Sequence, residues 1–257
     1  MGVTVEILPI LTDNYAYLVT DAESGAVAVV DPGEAGPVLA RVRERGGRLD
    51  WILLTHHHGD HVGGVGELVA ATGARVAGPA ADARRLPPLD RALAEGEVFE
   101  LGRAAARVIA TPGHTAGHLC YLFEASGDLF CADTLFVMGC GRLFEGDAAT
   151  MWTSLSKLSR LPPETKVWCG HEYTLANARF ALWVAPDDPA VRERAREVER
   201  LRSEGRPTVP STIGVERATN PFLRPFDPAI RRRLGLDGAS DAEVFGALRR
   251  AKDGFKG

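Results

Sequence analysis

The sequence predicts an α+β fold in which sheets are covered by helices and a helical segment closes the chain. Three observations lead there. The first two-thirds of the 257 residues alternate short β-branched or aromatic runs with Gly, Pro and Asp punctuation, the pattern of strands separated by turns. Helix-like segments lie between some of those runs, so covered sheets are expected in preference to an all-β sandwich. After Tyr173 the strand pattern stops, and helix-like stretches separated by Pro-rich loops take over.

Taken in order, strands are expected at VTVEILPI, NYAYLVT and AVAVVDPG, a helix at GPVLARVRERG, a strand at WILLTHHH and a helix at HVGGVGELVAATG. Strands follow at ARVIATPGH, HLCYLFEA, DLFCADT and KVWCGHE. Their β-branched and aromatic side chains suit a pleated, half-buried surface. From TLANARFALWVAP onward helices are expected, interrupted by GRPTVPSTIG and TNPFLRPFDP. The boundary is placed there, giving domains 1–172 and 173–257. No internal repeat or low-complexity tract interrupts either.

Hydrophobic residues make up 45% of the chain, ample for a buried core. The start has early acids and no basic region before a long apolar stretch, and no segment approaches the roughly 20 apolar residues of a membrane span. A cytoplasmic location without membrane association is expected. Cys120, Cys131, Cys140 and Cys169 form no CxxC pair and sit in apolar or Gly-flanked contexts, which suggest neither a disulfide framework nor a zinc finger. The net charge of −4 divides unevenly: residues 1–172 carry 14 basic against 22 acidic groups, residues 173–257 carry 16 against 12. That split hints at an anionic ligand for the C-terminal part. The charges of VRERAREVERLRSEG, however, recur at helical pair spacing and read as a solvated face.

The chemistry concentrates in LLTHHHGDHVGGV, where His56, His57, His58 and His61, four of the seven histidines, surround Asp60. A surface tract or an expression tag is the bland alternative, but the cluster is internal, follows an apolar run and is succeeded by isolated histidines. His114 follows ARVIATPG, Asp133 ends DLFCAD and His171 follows KVWCG. All are strand exits, where a rigid scaffold lets distant loops converge. Five histidines and two aspartates exceed one tetrahedral ion, whereas two ions account for them. His56, His58 and His114 would hold one, and Asp60, His61 and His171 the other, with Asp133 bridging. Imidazole and carboxylate suit zinc or iron and disfavour magnesium. His57, on the opposite side of an extended segment, should point away from the first ion. His118 suggests a hydrogen-bonding partner near His114, and Asp31 either steadies a ligand histidine or starts a turn. GGVG lacks the third glycine of a dinucleotide fingerprint, so these glycines are read as permitting close backbone approach.

THHHGDH matches the THxHxDH signature of the metallo-β-lactamase superfamily, and VVDPG, TPGHTAGH, ADTLF and CGHEYT follow in that superfamily's order. GCGRLFEG, CGHEYTLANARFA, TNPFLR and RRAKDGFK resemble segments of the glyoxalase II family, the hydroxyacylglutathione hydrolases, over nearly the full length. The resemblance implies a four-layer αββα sandwich with a dinuclear site at one edge, followed by a small C-terminal α-helical domain that helps bind glutathione. It implies the ligand sets just given and adds Tyr173, Arg249 and Lys252 as glutathione contacts. Arg142 stands where the family commonly has lysine, and Phe144 where many members have tyrosine.

The activity so implied is hydrolysis of S-(2-hydroxyacyl)glutathione thioesters, typically S-D-lactoylglutathione, by hydroxide generated at two divalent ions, zinc first and iron or manganese next. Coordination lowers the pKa of water from about 16 towards roughly 7, and Asp60 would orient the nucleophile. No GxSxG elbow is present or required. A monomer with no nucleic-acid partner is expected. Glutathione persulfide dioxygenase, other hydrolases of the superfamily and a non-catalytic metal-binding protein are the rivals, since one metal signature serves many chemistries.

Overall fold

The computed structural model describes residues 2–256. Contacts divide the chain into two units, Met1–Thr111 with Thr115–Ala132, and Pro112–His114 with Asp133–Gly257.

In the first unit, β1 (Val3–Ile10), β2 (Asn14–Asp21) and β3 (Val27–Val30) form an antiparallel meander. Helix α1 (Ala35–Glu44) then crosses over to β4 (Trp51–Leu53), which pairs parallel with β3. The predicted helix after it is two: α2 (Gly59–Val62) and α3 (Val65–Thr72) part at Gly63 and Gly64. Strands β5 (Arg75–Pro79) and β6 (Arg91–Leu93) extend the parallel half to complete six strands in chain order. Four more strands of this unit, β7 (Val98–Leu101), β8 (Ala104–Ala110), β9 (Leu119–Phe123) and β10 (Asp128–Ala132), run antiparallel in a second sheet. Strands β5, β6 and β7 are additions to the strands predicted for this unit. RVAGP carries Gly and Pro, and RAL is only three residues long, so neither shows an alternating run.

Period-two alternation divides the first sheet's faces. Leu18, Val29, Ile52 and Val76 join Val38 and Leu39 of α1 and Leu68 of α3 in one buried cluster. The opposite face meets the second sheet: Tyr17 lies 5.5 Å from Phe130, Trp51 stands edge-on to Phe99 at 5.2 Å, and the Tyr121 hydroxyl donates to the Leu54 carbonyl at 2.6 Å.

In the second unit, the hairpin β11 (Leu135–Phe136) and β12 (Gly139–Cys140) precedes α4 (Ala148–Ser159), whose Asp147 cap accepts from Thr150 N. Strand β13 (Lys166–Cys169) follows, then α5 (Thr174–Val184) and α6 (Pro189–Ser203), the latter capped by Asp188 with Pro189 in its first turn. Helix α6 carries VRERAREVERLRS, with Val191, Ala195, Val198 and Leu201 buried and charged pairs such as Arg200–Glu204 exposed. Strand β14 (Ser211–Thr212) pairs with β13, and α7 (Ile213–Thr219), α8 (Pro228–Leu234) and α9 (Asp241–Asp253) complete the unit. Phe180 stacks on Phe222 at 5.8 Å, and Phe222 stands edge-on to Phe245 at 6.0 Å. All four cysteines are buried and none is in a disulfide. Among the described residues, no helix is long and apolar enough to cross a membrane.

Candidate metal centre

Parallel pairing brings the exits of β3, β4 and β5 to one edge, so Asp31, the THHHGDH loop and Asp82 meet there within the first unit. Asp31 is 2% exposed and lies in the left-handed region at φ 48°. Its Oδ1 accepts from Thr55 N at 2.8 Å, and its Oδ2 accepts from the Thr55 hydroxyl at 2.6 Å. The same Oδ2 lies 3.0 Å from His61 Nδ1, and Gly33 N donates to the Asp31 carbonyl at 2.9 Å. Asp31 therefore both steadies a histidine and starts a turn. Strain at such a residue is held by these bonds.

These bonds also set tautomers. A carboxylate only accepts, so His61 carries its proton on Nδ1 and leaves the Nε2 lone pair for a ligand. The Thr55 hydroxyl spends its hydrogen on Asp31 and therefore accepts from His56 Nδ1 at 3.0 Å, which frees His56 Nε2 in the same way. That nitrogen lies 3.1 Å from His58 Nδ1. With His58 protonated on Nε2, the two nitrogens direct lone pairs together and suit a shared cation. Asp60 is held by Asn14, whose Nδ2 donates to its Oδ2 at 2.9 Å, and it lies 3.6 Å from His61 Nε2. Gly33 permits this approach, since a Cβ there would sit 1.8 Å from the Asp60 carbonyl oxygen. His57 Nδ1 faces Asp82 at 3.2 Å. The His118 ring stacks on His56 at 4.9 Å, and its Nδ1 bonds Thr111 Oγ1 at 3.1 Å.

Within the second unit, Asp133 Oδ2 lies 3.4 Å from the Nε2 atoms of both His114 and His171. His114 donates from Nδ1 to the Arg142 carbonyl at 2.9 Å, so its Nε2 lone pair faces the carboxylate. One oxygen between two imidazole nitrogens is the arrangement of a shared ligand. These three residues are at most 6% exposed. Buried imidazoles and carboxylates with lone pairs directed together fit divalent transition ions.

The remaining predicted residues also fall in the second unit. Tyr173, 40% exposed, stacks on His171 at 4.6 Å. Phe144 stands edge-on to His114 at 5.2 Å, and exposed Arg142 lies 3.9 Å from Asp253. Arg249 is only 5% exposed; its Nη1 donates to the Cys140 carbonyl at 2.8 Å, and its guanidinium covers Phe222. Lys252 donates to the Ala176 carbonyl at 2.8 Å. Burial, then the charges of Arg249 and Arg142, lowers its pKa to about 8. Sequence reasoning missed Asn14, which holds Asp60, although it opens NYAYLVT, a segment already read as a strand.

Comparison with known proteins agrees with this chemistry. Residues 10–171 match the model of the metallo-beta-lactamase superfamily, and residues 172–255 match that of the hydroxyacylglutathione hydrolase C-terminus. The solved structure of ETHE1 from Myxococcus xanthus is similar at 25% identity and TM-score 0.69, covering 100% of this chain and 93% of that one. Fold and donor set thus define a metal-binding enzyme with the metallo-β-lactamase αββα sandwich and a helical C-terminal region, as the sequence led us to expect. The chain is 58% identical to a hydroxyacylglutathione hydrolase of Methylococcus capsulatus, over 97% of its length and 98% of the relative's. It is 56% identical to one of Cereibacter sphaeroides strain ATCC 17029, over 96% and 97%. The chain belongs to the hydroxyacylglutathione hydrolase family.

Proposed function

We propose that this enzyme hydrolyses S-(2-hydroxyacyl)glutathione thioesters, S-D-lactoylglutathione first among them, to a 2-hydroxy acid and glutathione. The observation that carries the reading is the pairing of a His/Asp donor set inside the superfamily match at 10–171 with a hydroxyacylglutathione hydrolase C-terminus at 172–255. In this reading 1–172 is the catalytic domain and 173–257 the glutathione-binding domain.

His56, His58 and His114 would hold one ion, Asp60, His61 and His171 the other, with Asp133 shared. Zinc is the proposed metal, with iron and manganese next, since the donors are imidazole and carboxylate. Such ions supply Lewis acidity for the thioester carbonyl and acidify water. Asp60, steadied by Asn14, orients the attacking water and accepts its hydrogen bond. Arg142, Tyr173, Arg249 and Lys252 provide the cationic and aromatic groups for glutathione, whose two carboxylates need charge-assisted partners. Water adds to the carbonyl carbon, the C–S bond breaks, and the thiolate takes up a proton. Buried cysteines that form no disulfide suit a reducing compartment, so a cytoplasmic location is proposed, with the monomer as the expected state. A net charge of −4 does not favour nucleic acid.

The test is thioester hydrolysis and thiol release with S-D-lactoylglutathione, beside oxygen uptake with glutathione persulfide, on protein of measured metal content. Thiol release without oxygen uptake is expected. Oxygen uptake with no thioester cleavage would reject the reading.

A further inference from the structure

Between Asp133 and Arg142 the chain forms the β11–β12 hairpin, whose register pairs Leu135 with Cys140 and Phe136 with Gly139. Two residues per strand are too few for such a ladder to hold itself. Its turn also places Met138 in the left-handed region at φ 56°, a conformation that persists only where surrounding bonds over-determine it. Side chains of α5, of α7 and of the residue that caps α7 supply those bonds. Glu216 accepts from Met138 N at 2.7 Å, Ser211 Oγ at 2.5 Å and Asn220 Nδ2 at 3.0 Å. Asn220 Nδ2 also donates to the carbonyls of Phe136 at 3.2 Å and Gly139 at 2.9 Å, and Asn177 Nδ2 donates to that of Val137 at 3.1 Å. Side chains therefore grip four consecutive backbone groups, from residues 136, 137, 138 and 139. Glu216 and Asn220 are fully buried, and Asn177 is 5% exposed.

The ends of the hairpin bear on the metal centre. Gly141 N donates to the Thr134 carbonyl, and a Cβ on Gly141 would lie 1.9 Å from the Asp133 carbonyl oxygen and 3.1 Å from His114 Nδ1. The next residue, Arg142, offers the carbonyl that accepts from His114 Nδ1. Register in the hairpin thus sets both the Asp133 carboxylate and the bond that fixes the His114 tautomer. An apolar side chain would fill the Glu216 site without desolvating a carboxyl, so packing alone does not account for glutamate there.

We propose that Glu216, Asn220 and Asn177 form a positioning clamp, in which these side chains fix the β11–β12 hairpin and thereby align Asp133 and His114 for metal. The inference rests on the reading of Asp133 and His114 as ligands. What the clamp needs from Glu216 is the pairing of an oxygen acceptor toward Met138 N and Asn220 Nδ2 with a polar atom toward Ser211 Oγ. Glutamine retains it: its carbonyl oxygen accepts from Met138 N and Asn220, while its NH2 donates to the Ser211 hydroxyl, which can reverse its role. Leucine provides neither.

The test measures zinc affinity by chelator competition on E216L, E216Q, N177A and D133A, together with the melting temperature of each metal-free protein. Groups that orient ligands change metal affinity by about 10- to 100-fold. That loss is expected for E216L, with E216Q within about three-fold of wild type and N177A about three- to ten-fold weaker. Adding S211A to E216Q should abolish the rescue, because the amide NH2 then faces no acceptor. Wild-type affinity in E216L, or equal loss in E216L and E216Q, would overturn the clamp. Should E216L fail to fold, wild-type affinity in N177A, or an unchanged rescue in the E216Q/S211A double variant, overturns it instead. D133A separates the two readings: full affinity there removes Asp133 as a ligand, whereas loss in D133A beside wild-type affinity in the clamp variants removes only the clamp.

Discussion

Replacing Asp31 with asparagine tests the tautomer logic of the centre at one atom. Asp31 accepts from three donors: Thr55 N at 2.8 Å, Thr55 Oγ1 at 2.6 Å and His61 Nδ1 at 3.0 Å. Asparagine is nearly isosteric but has one accepting oxygen. If that oxygen faces Thr55 N, the NH2 faces Thr55 Oγ1 and His61 Nδ1. The hydroxyl can rotate to accept, and His61 can accept at Nδ1 by moving its proton to Nε2. Nε2 is then no longer a ligand, and metal binding must force two N–H groups together in a buried site. If the amide is reversed, its NH2 meets the Thr55 backbone N–H, which cannot invert. Either way a charge-assisted bond worth about 1.5–3 kcal/mol is lost. At 1.4 kcal/mol per decade, zinc affinity should fall roughly 10- to 150-fold. Chelator competition measures the affinity, and long-range proton–nitrogen NMR of the metal-free protein shows which His61 nitrogen carries hydrogen. Wild-type affinity in Asp31→Asn, with His61 still protonated at Nδ1, would refute the reasoning.

Other consequences are equally direct. Asp133→Ala should lower bound metal from about two ions per chain, while His57→Ala retains them, because only the former removes a shared ligand; elemental analysis distinguishes them, and equal loss would reject the assignment. Binding of an S-alkylglutathione thioether should weaken about ten-fold from pH 7 to 9.5, because Lys252 is charged below about 8 and neutral above it. Lys252→Arg, charged throughout, should flatten that dependence in calorimetry; identical profiles would count against Lys252. Arg249→Ala should cost about 2–4 kcal/mol in urea unfolding, since it strips the Cys140 carbonyl of its donor and opens space beside Phe222. Gly33→Ala should abolish metal binding, its Cβ falling 1.8 Å from the Asp60 oxygen, while Gly66→Ala, which meets nothing within 4 Å in α3, should stabilise by about 0.5–1 kcal/mol. Metal retention and melting temperature check that pair.

The ligand candidates were legible because metal binding demands particular atoms. Imidazole nitrogen and carboxylate oxygen cannot be supplied by packing, so His56, His58, Asp60 and His61 had to stand in the sequence, and strong apolar runs marked the strand exits that carry them. Long strands such as β1 and β2 were legible because their runs of β-branched and aromatic residues are a local signal. Strands β5, β6 and β14 were not: they are short, interrupted by Gly or Pro, or carried by neighbours, and pairing defines them. Nor could spacing separate Arg249 from Lys252. Both looked like parts of one basic cluster, yet Arg249 is enclosed beside Phe222 while Lys252 stays half-exposed.

What the sequence determined by itself is thus the inventory of donors and their order along the chain. Which atoms support them was decided only by tertiary structure. Asn14 reaches Asp60 across 46 positions, Asn220 reaches the Phe136 carbonyl across 84, and Asp31 sets the His61 tautomer across 30. A hydrogen bond needs about 3 Å and near-linear alignment, and no local pattern carries that information between segments so far apart.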